Sequence, residues 1–145
     1  MLITTLLAAA LSVSGTGIAK AQEAASPPDA PFLSIELNRL EQQTGTCRLT
    51  FVAQNGLGVD VSAIVIETVL FDRTDQVIDL TLFDFQGLPD GSPRVRQFDL
   101  AAVDCASLGR VLLNDVHACT GANLTPEVCA DGLRWSSRTD VEVVG

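Results

Sequence analysis

Apolar and polar residues alternate along this chain in short runs separated by turn signals. Leu33, Ile35 and Leu37 interleave with Ser34, Glu36 and Asn38. Cys47, Leu49, Phe51 and Ala53 interleave with Arg48, Thr50 and Gln54, and Asn55-Gly56 ends that run. Successive side chains of a strand point to opposite faces, so each run predicts a strand with one face buried. A chain made of such runs must pack one apolar sheet face against another.

The later segments extend the pattern. Ala63 to Phe71 is nearly continuous, apolar and rich in β-branched residues, which predicts a central strand covered on both faces. Asp72 to Asp75 forms a turn. Val77 to Phe85 then sets Ile78, Leu80 and Leu82 on one face and mixes Asp79 and Thr81 with Phe83 and Phe85 on the other. Leu88 to Pro93 (LPDGSP) is a strong turn. In Arg94 to Leu100 the alternation slips between Val95 and Phe98, which predicts a bulge. Cys105 to Gly109 reads as a compact turn or short helix. Arg110 to Cys119, Leu133 to Arg138 and Asp140 to Val144 read as strands. With no long helical pattern, the expectation is an all-β fold. It is a single immunoglobulin-like β-sandwich of about seven strands over residues 32–145. Trp135 follows all four cysteines, so the immunoglobulin Cys…Trp…Cys spacing is missing and the likeness is one of architecture.

Ahead of this domain, Leu2 to Val13 is an apolar run with the length of a signal-peptide core. It falls short of the roughly 20 residues a membrane span needs. Ala19-Lys20-Ala21 fits a cleavage site, so residues 1–21 read as a signal peptide and Gln22 as the first mature residue. Residues 22–31 (QEAASPPDAP) read as a spacer. The first cysteine is Cys47, far from the cut, so neither a lipid anchor nor membrane insertion after cleavage is expected. The expected location is the periplasm or the exterior.

Four cysteines in an exported chain point to two disulfides. They are Cys47, Cys105, Cys119 and Cys129, with no C-x-x-C spacing among them. Of the three connectivities, Cys119–Cys129 is favoured, because Gly121, Asn123 and Pro126 supply turn residues for a short loop. That leaves Cys47–Cys105. Chain-entropy arguments give about 3 kcal/mol for the short loop and about 4 kcal/mol for the long one.

Charge narrows the partners. A net charge of −9 argues against nucleic acid or an anionic membrane surface. Chemistry is sparse as well. The single histidine, His117, sits between Asp115 and Cys119 at alternate positions, a ladder that could ligate copper or zinc. Oxidation of Cys119 would remove its thiolate. Asp72, Asp75, Asp79 and Asp84 lack the ordered loop of a calcium site. Ser136-Ser137 has no G-x-S-x-G context. No catalytic residue, cofactor or metal is therefore expected, and the chain reads as a non-enzyme. Arg94 and Arg96 share one strand face, about 7 Å apart at a strand's rise. They could seat a partner's carboxylates, or pair with acids of the same chain.

Several of these segments together carry a resemblance. The block Leu33 to Glu41 (LSIELNRLE), Cys47, Gly109 to Val116 (GRVLLNDV), Cys119, Cys129 and Ser136-Ser137-Arg138 resembles a family of small secreted alphaproteobacterial proteins. That family has no assigned activity. Some members are encoded near ExbB/ExbD-like proton-channel proteins, so the resemblance implies an envelope protein partner and no functional residue. The combined expectation is a periplasmic binding or adaptor module. The alternative is a small-ligand or metal-binding secreted module.

Overall fold

The computed structural model describes residues 30–145. The expected signal peptide (1–21) and most of the spacer (22–31) lie outside them. Eight strands form, against about seven expected: β1 (Phe32–Gln43), β2 (Thr46–Gly56), β3 (Val61–Asp72), β4 (Val77–Leu88), β5 (Arg94–Ala101), β6 (Leu108–Gly121), β7 (Leu133–Ser137) and β8 (Glu142–Val144). They make two four-stranded sheets with orders β5-β2-β1-β7 and β4-β3-β6-β8. The fold is thus the all-β, disulfide-stapled sandwich that the alternation predicts. β7 joins β1 in parallel and β8 joins β6 in parallel; the other pairs are antiparallel.

The core follows the alternation. Leu33, Ile35 and Leu37 of β1 and Cys47, Leu49, Phe51 and Ala53 of β2 are buried against Ile64, Ile66, Leu70, Phe83, Phe85, Val111 and Leu113 of the other sheet. Phe51 sits at the centre, edge-on to Phe83, Phe85 and Phe98 at 5.7–5.9 Å between ring centroids. Such pairs add about 0.5–1.5 kcal/mol each beyond the area they bury.

Both disulfides bind irregular segments to this core. Cys47 of β2 joins Cys105 in a 3-10 turn (Cys105–Ser107). Cys119 of β6 joins Cys129 in a short helix, α1 (Pro126–Asp131). The Thr125 hydroxyl caps α1 by accepting from the Val128 N–H, and Pro126 starts it where a missing N–H costs nothing.

Two local expectations give way to a different arrangement, and a third holds for a reason the sequence did not show. β5 pairs with β2 with no register shift, so there is no bulge. Val95 is simply exposed on the outer face, and Arg94, Arg96, Phe98 and Leu100 take the inner one. β2 ends at Asn55-Gly56, as the sequence predicts, and Asn55 fixes that end. Its buried amide donates to the Val59 and Leu88 carbonyls and accepts from the Leu57 N–H, so the strand end carries its own internal partner. β3 is central in its sheet, but no layer covers its outer face among the described residues. Val69 is only 8% exposed because Leu80 and Leu112 flank it on the adjacent strands. Phe71 is shielded by the Arg110 guanidinium, 4.7 Å from the ring centroid.

Candidate functional site

The two sheets differ in their outer faces. On the sheet containing β1 and β2 the outward face carries the exposed Val95 beside Val52, but its charged residues are engaged with one another. Arg48 grips Asp99 through two hydrogen bonds of 2.7 and 2.8 Å, and Arg138 donates to Glu36 at 2.8 Å. The hydrogen bond from Arg48 holds the Asp99 carboxyl below its ordinary pKa. Glu36 is lowered as well, first by the Asn38 amide and then by Arg138. On the other sheet, register places Leu80, Val69, Leu112 and Val144 side by side across all four strands. This apolar row begins at the edge strand β4, where Val77 is 60%, Leu80 57% and Leu82 47% exposed.

β4 and β5 are edge strands of opposite sheets and lie on the same side of the sandwich. One end of the seam between them is closed. The Phe83 and Phe98 rings stack there, and Arg96 donates to the Phe85 carbonyl at 2.7 Å and the Gly87 carbonyl at 3.0 Å. Those carbonyls belong to an edge strand, so the guanidinium covers part of the unpaired backbone that edges expose. Toward Val77 the seam opens into a cleft of about 420 Å³ lined by Asp79, Thr81, Phe83, Phe98, Asp99 and Leu100. Among the described residues, the only side-chain hydrogen bond to the backbone of Val77–Phe83 is from the Leu80 N–H to Asp79 Oδ1, at 2.9 Å.

The sequence-derived candidates fall as follows. Cys47, Cys105, Cys119 and Cys129 are all in disulfides. Arg94 and Arg96 share a strand face, and it is the inner one. Arg96 is used across the seam, while among the described residues Arg94 donates only to the carbonyl of Pro93. The Asp115, His117, Cys119 ladder does not hold together. Ile66 pairs with Val116 and Val65 with Ala118, so a bulge at His117 turns Cys119 to the core while Asp115 pairs outward with Glu67. Asp72 serves the β3–β4 turn, accepting from the N–H groups of Gln76 and Thr74 and from the Thr74 hydroxyl. The Gln76 N–H is the main cause of its lowered pKa, followed by the Thr74 hydroxyl and N–H. Asp75 pairs with Arg110 at 2.8 Å. Among the described residues no cluster of three or more His, Cys, Asp or Glu side chains is placed to hold a metal. The open β4 edge was missed from sequence, although its signal was present: an apolar stripe on the face opposite Phe83 and Phe85.

No protein-family model and no curated protein matches the chain. Among solved structures, IrmA from Escherichia coli is similar in fold, with a TM-score of 0.56 at 12% identity over 73% of this chain and 92% of that one. At that identity the likeness concerns the fold alone.

Proposed function

We propose that this chain is a non-enzymatic binding module of the bacterial periplasm, and that its β4 edge receives an extended segment of an envelope protein. The observation that carries the reading is the open stretch from Val77 to Leu82. It is an edge strand with exposed aliphatic side chains beside an open cleft, and among the described residues its outward backbone has one side-chain partner, Asp79 on the Leu80 N–H. Edge strands in stable proteins are ordinarily blunted by charge, proline or a covering segment. Here Arg96 supplies that protection only at Phe85 and Gly87. Adding a strand would satisfy the remaining backbone groups, with alternate side chains giving specificity. Two disulfides and no free cysteine among the described residues suit an oxidising compartment. The resemblance to small secreted proteins encoded near ExbB/ExbD-like systems supports an envelope partner.

The experiment is photo-cross-linking in exported protein, from probes at Ile78 and Leu82 and, as a control, at Thr50 on the polar outer face. Discrete protein adducts from the two β4 positions and none from Thr50 are expected. Equal labelling from all three sites, or none from β4, would reject the edge as the docking surface. The second reading is a small ligand in the cleft, favoured by the aromatic floor of Phe83 and Phe98. Its mark would be a compound that raises the melting temperature of wild type and not of Leu100→Trp.

A further inference from the structure

The seam also carries information about what the acceptor edge takes, and this step rests on the reading of β4 as an acceptor. An added strand would lie about 4.8 Å from β4, with directly opposed Cβ atoms about 4.5–5.5 Å apart. Its side chains would alternate between two environments. On the outer side they would lie beside Ile78, Leu80 and Leu82, all exposed and apolar. On the inner side they would enter the mouth of the cleft beside Asp79 and Thr81. Asp79 has no basic partner among the described residues, whereas the Asp99 carboxylate at the same cleft is taken by Arg48.

From this arrangement we infer that the edge selects an extended protein segment in which apolar residues alternate with basic ones. The apolar side chains continue the row Leu80, Val69, Leu112 and Val144. A Lys or Arg facing inward meets the carboxylate of Asp79. The charge argument also decides against a second copy of this chain. Thr74 to Pro93 contains no Lys or Arg, so β4 of another molecule would bring Asp79 and Asp84 to an edge that already carries them. The chain as a whole, at −9, repels its own kind over longer range.

The test uses the full exported protein and three synthetic peptides of equal length. One alternates Val and Lys, one alternates Val and Glu, and one holds the first peptide's residues in two blocks. Binding is read by titration calorimetry at low and high salt, with isotope-edited infrared spectra reporting new sheet. The alternating Val/Lys peptide should bind and add sheet signal, and the Val/Glu peptide should not. Asp79→Asn should weaken the Val/Lys peptide about two- to fivefold, the range of one exposed ion pair, without altering the melting temperature. Equal binding of the blocked peptide would reduce the effect to general attraction by an acidic protein and overturn the inference. Equal binding of Val/Lys and Val/Glu peptides with new sheet signal would overturn the charge rule while leaving strand acceptance in place. Failure of every alternating peptide to bind would remove strand acceptance and this inference with it. A dimer in sedimentation runs of the protein alone, lost in Leu80→Glu, would put a second copy on the edge and also overturn it.

Discussion

Phe83 and Phe98 stack across the seam with their ring centroids 4.1 Å apart and their planes within 6°. One belongs to β4 and the other to β5, so this contact joins the edges of opposite sheets where no backbone pairing does. It also floors the cleft, which couples the stability of the sandwich to the shape of the proposed site.

Phe83→Ala should therefore be costly, about 3–5 kcal/mol, as for a large aromatic removed from a packed core. Phe98→Ala should cost less, because that ring is half-buried. Urea unfolding of both single variants and the double variant should give a coupling of about 0.5–1.5 kcal/mol. Additive losses would mean that the stacking contributes nothing beyond burial.

The two arginines of β5 should separate. Arg96→Gln removes two hydrogen bonds to edge carbonyls that water can partly replace, so a loss of about 1 kcal/mol and about 3–6 °C in melting temperature is expected. Arg94→Gln should stay within about 0.5 kcal/mol of wild type. Differential scanning calorimetry on both variants checks this, and equal losses would contradict it.

Asn55 is buried with three hydrogen bonds to backbone groups, two in the loop after β2 (Leu57, Val59) and one in β4 (Leu88). Asn55→Ala strands those groups and should cost about 2–3 kcal/mol. Asn55→Asp keeps the acceptor for Leu57 but turns a carboxylate onto the Val59 and Leu88 carbonyls. Its stability deficit should shrink as pH falls and the carboxyl becomes a donor. Thermal melts of the two variants from neutral to acidic pH would show this.

Acid should weaken the native state through its hydrogen-bonded carboxylates. Asp99, Asp72 and Glu36 all have folded-state pKa values below their ordinary ones. A lowered folded pKa means the unfolded chain takes up protons first. The stabilisation is therefore present above about pH 4, near the unfolded carboxyl values, and is lost as pH falls through the folded ones. Melting temperature should be flat from neutral pH to about pH 5 and then decline. Arg48→Gln should make that decline shallower, because Asp99 then no longer has its main hydrogen-bond donor.

Much of this molecule was legible in its sequence, for reasons of period and spacing. A two-residue alternation has one structural reading, and turn residues mark where it stops. The buried faces of β1 and β2 follow directly from Leu33, Ile35 and Leu37 and from Cys47, Leu49 and Phe51. Turn residues likewise identified Cys119–Cys129 as the short loop. Tertiary structure decided what period cannot. In β4 both faces hold apolar residues, so alternation alone does not say whether Leu80 or Phe83 faces inward. The choice falls to Phe83 and Phe85 because Phe51 and Phe98 give those rings aromatic partners across the sandwich. The bulge at His117, which dissolves the apparent ligand ladder, depends on how β6 pairs with β3 and has no local signal. Arg96 reads from sequence as a partner for carboxylates, of another protein or of the same chain, and instead covers edge carbonyls only because β4 is the strand opposite it. Local sequence governs which way each side chain alternates. Only the meeting of two sheets determines which alternate residues find partners and which edge is left open.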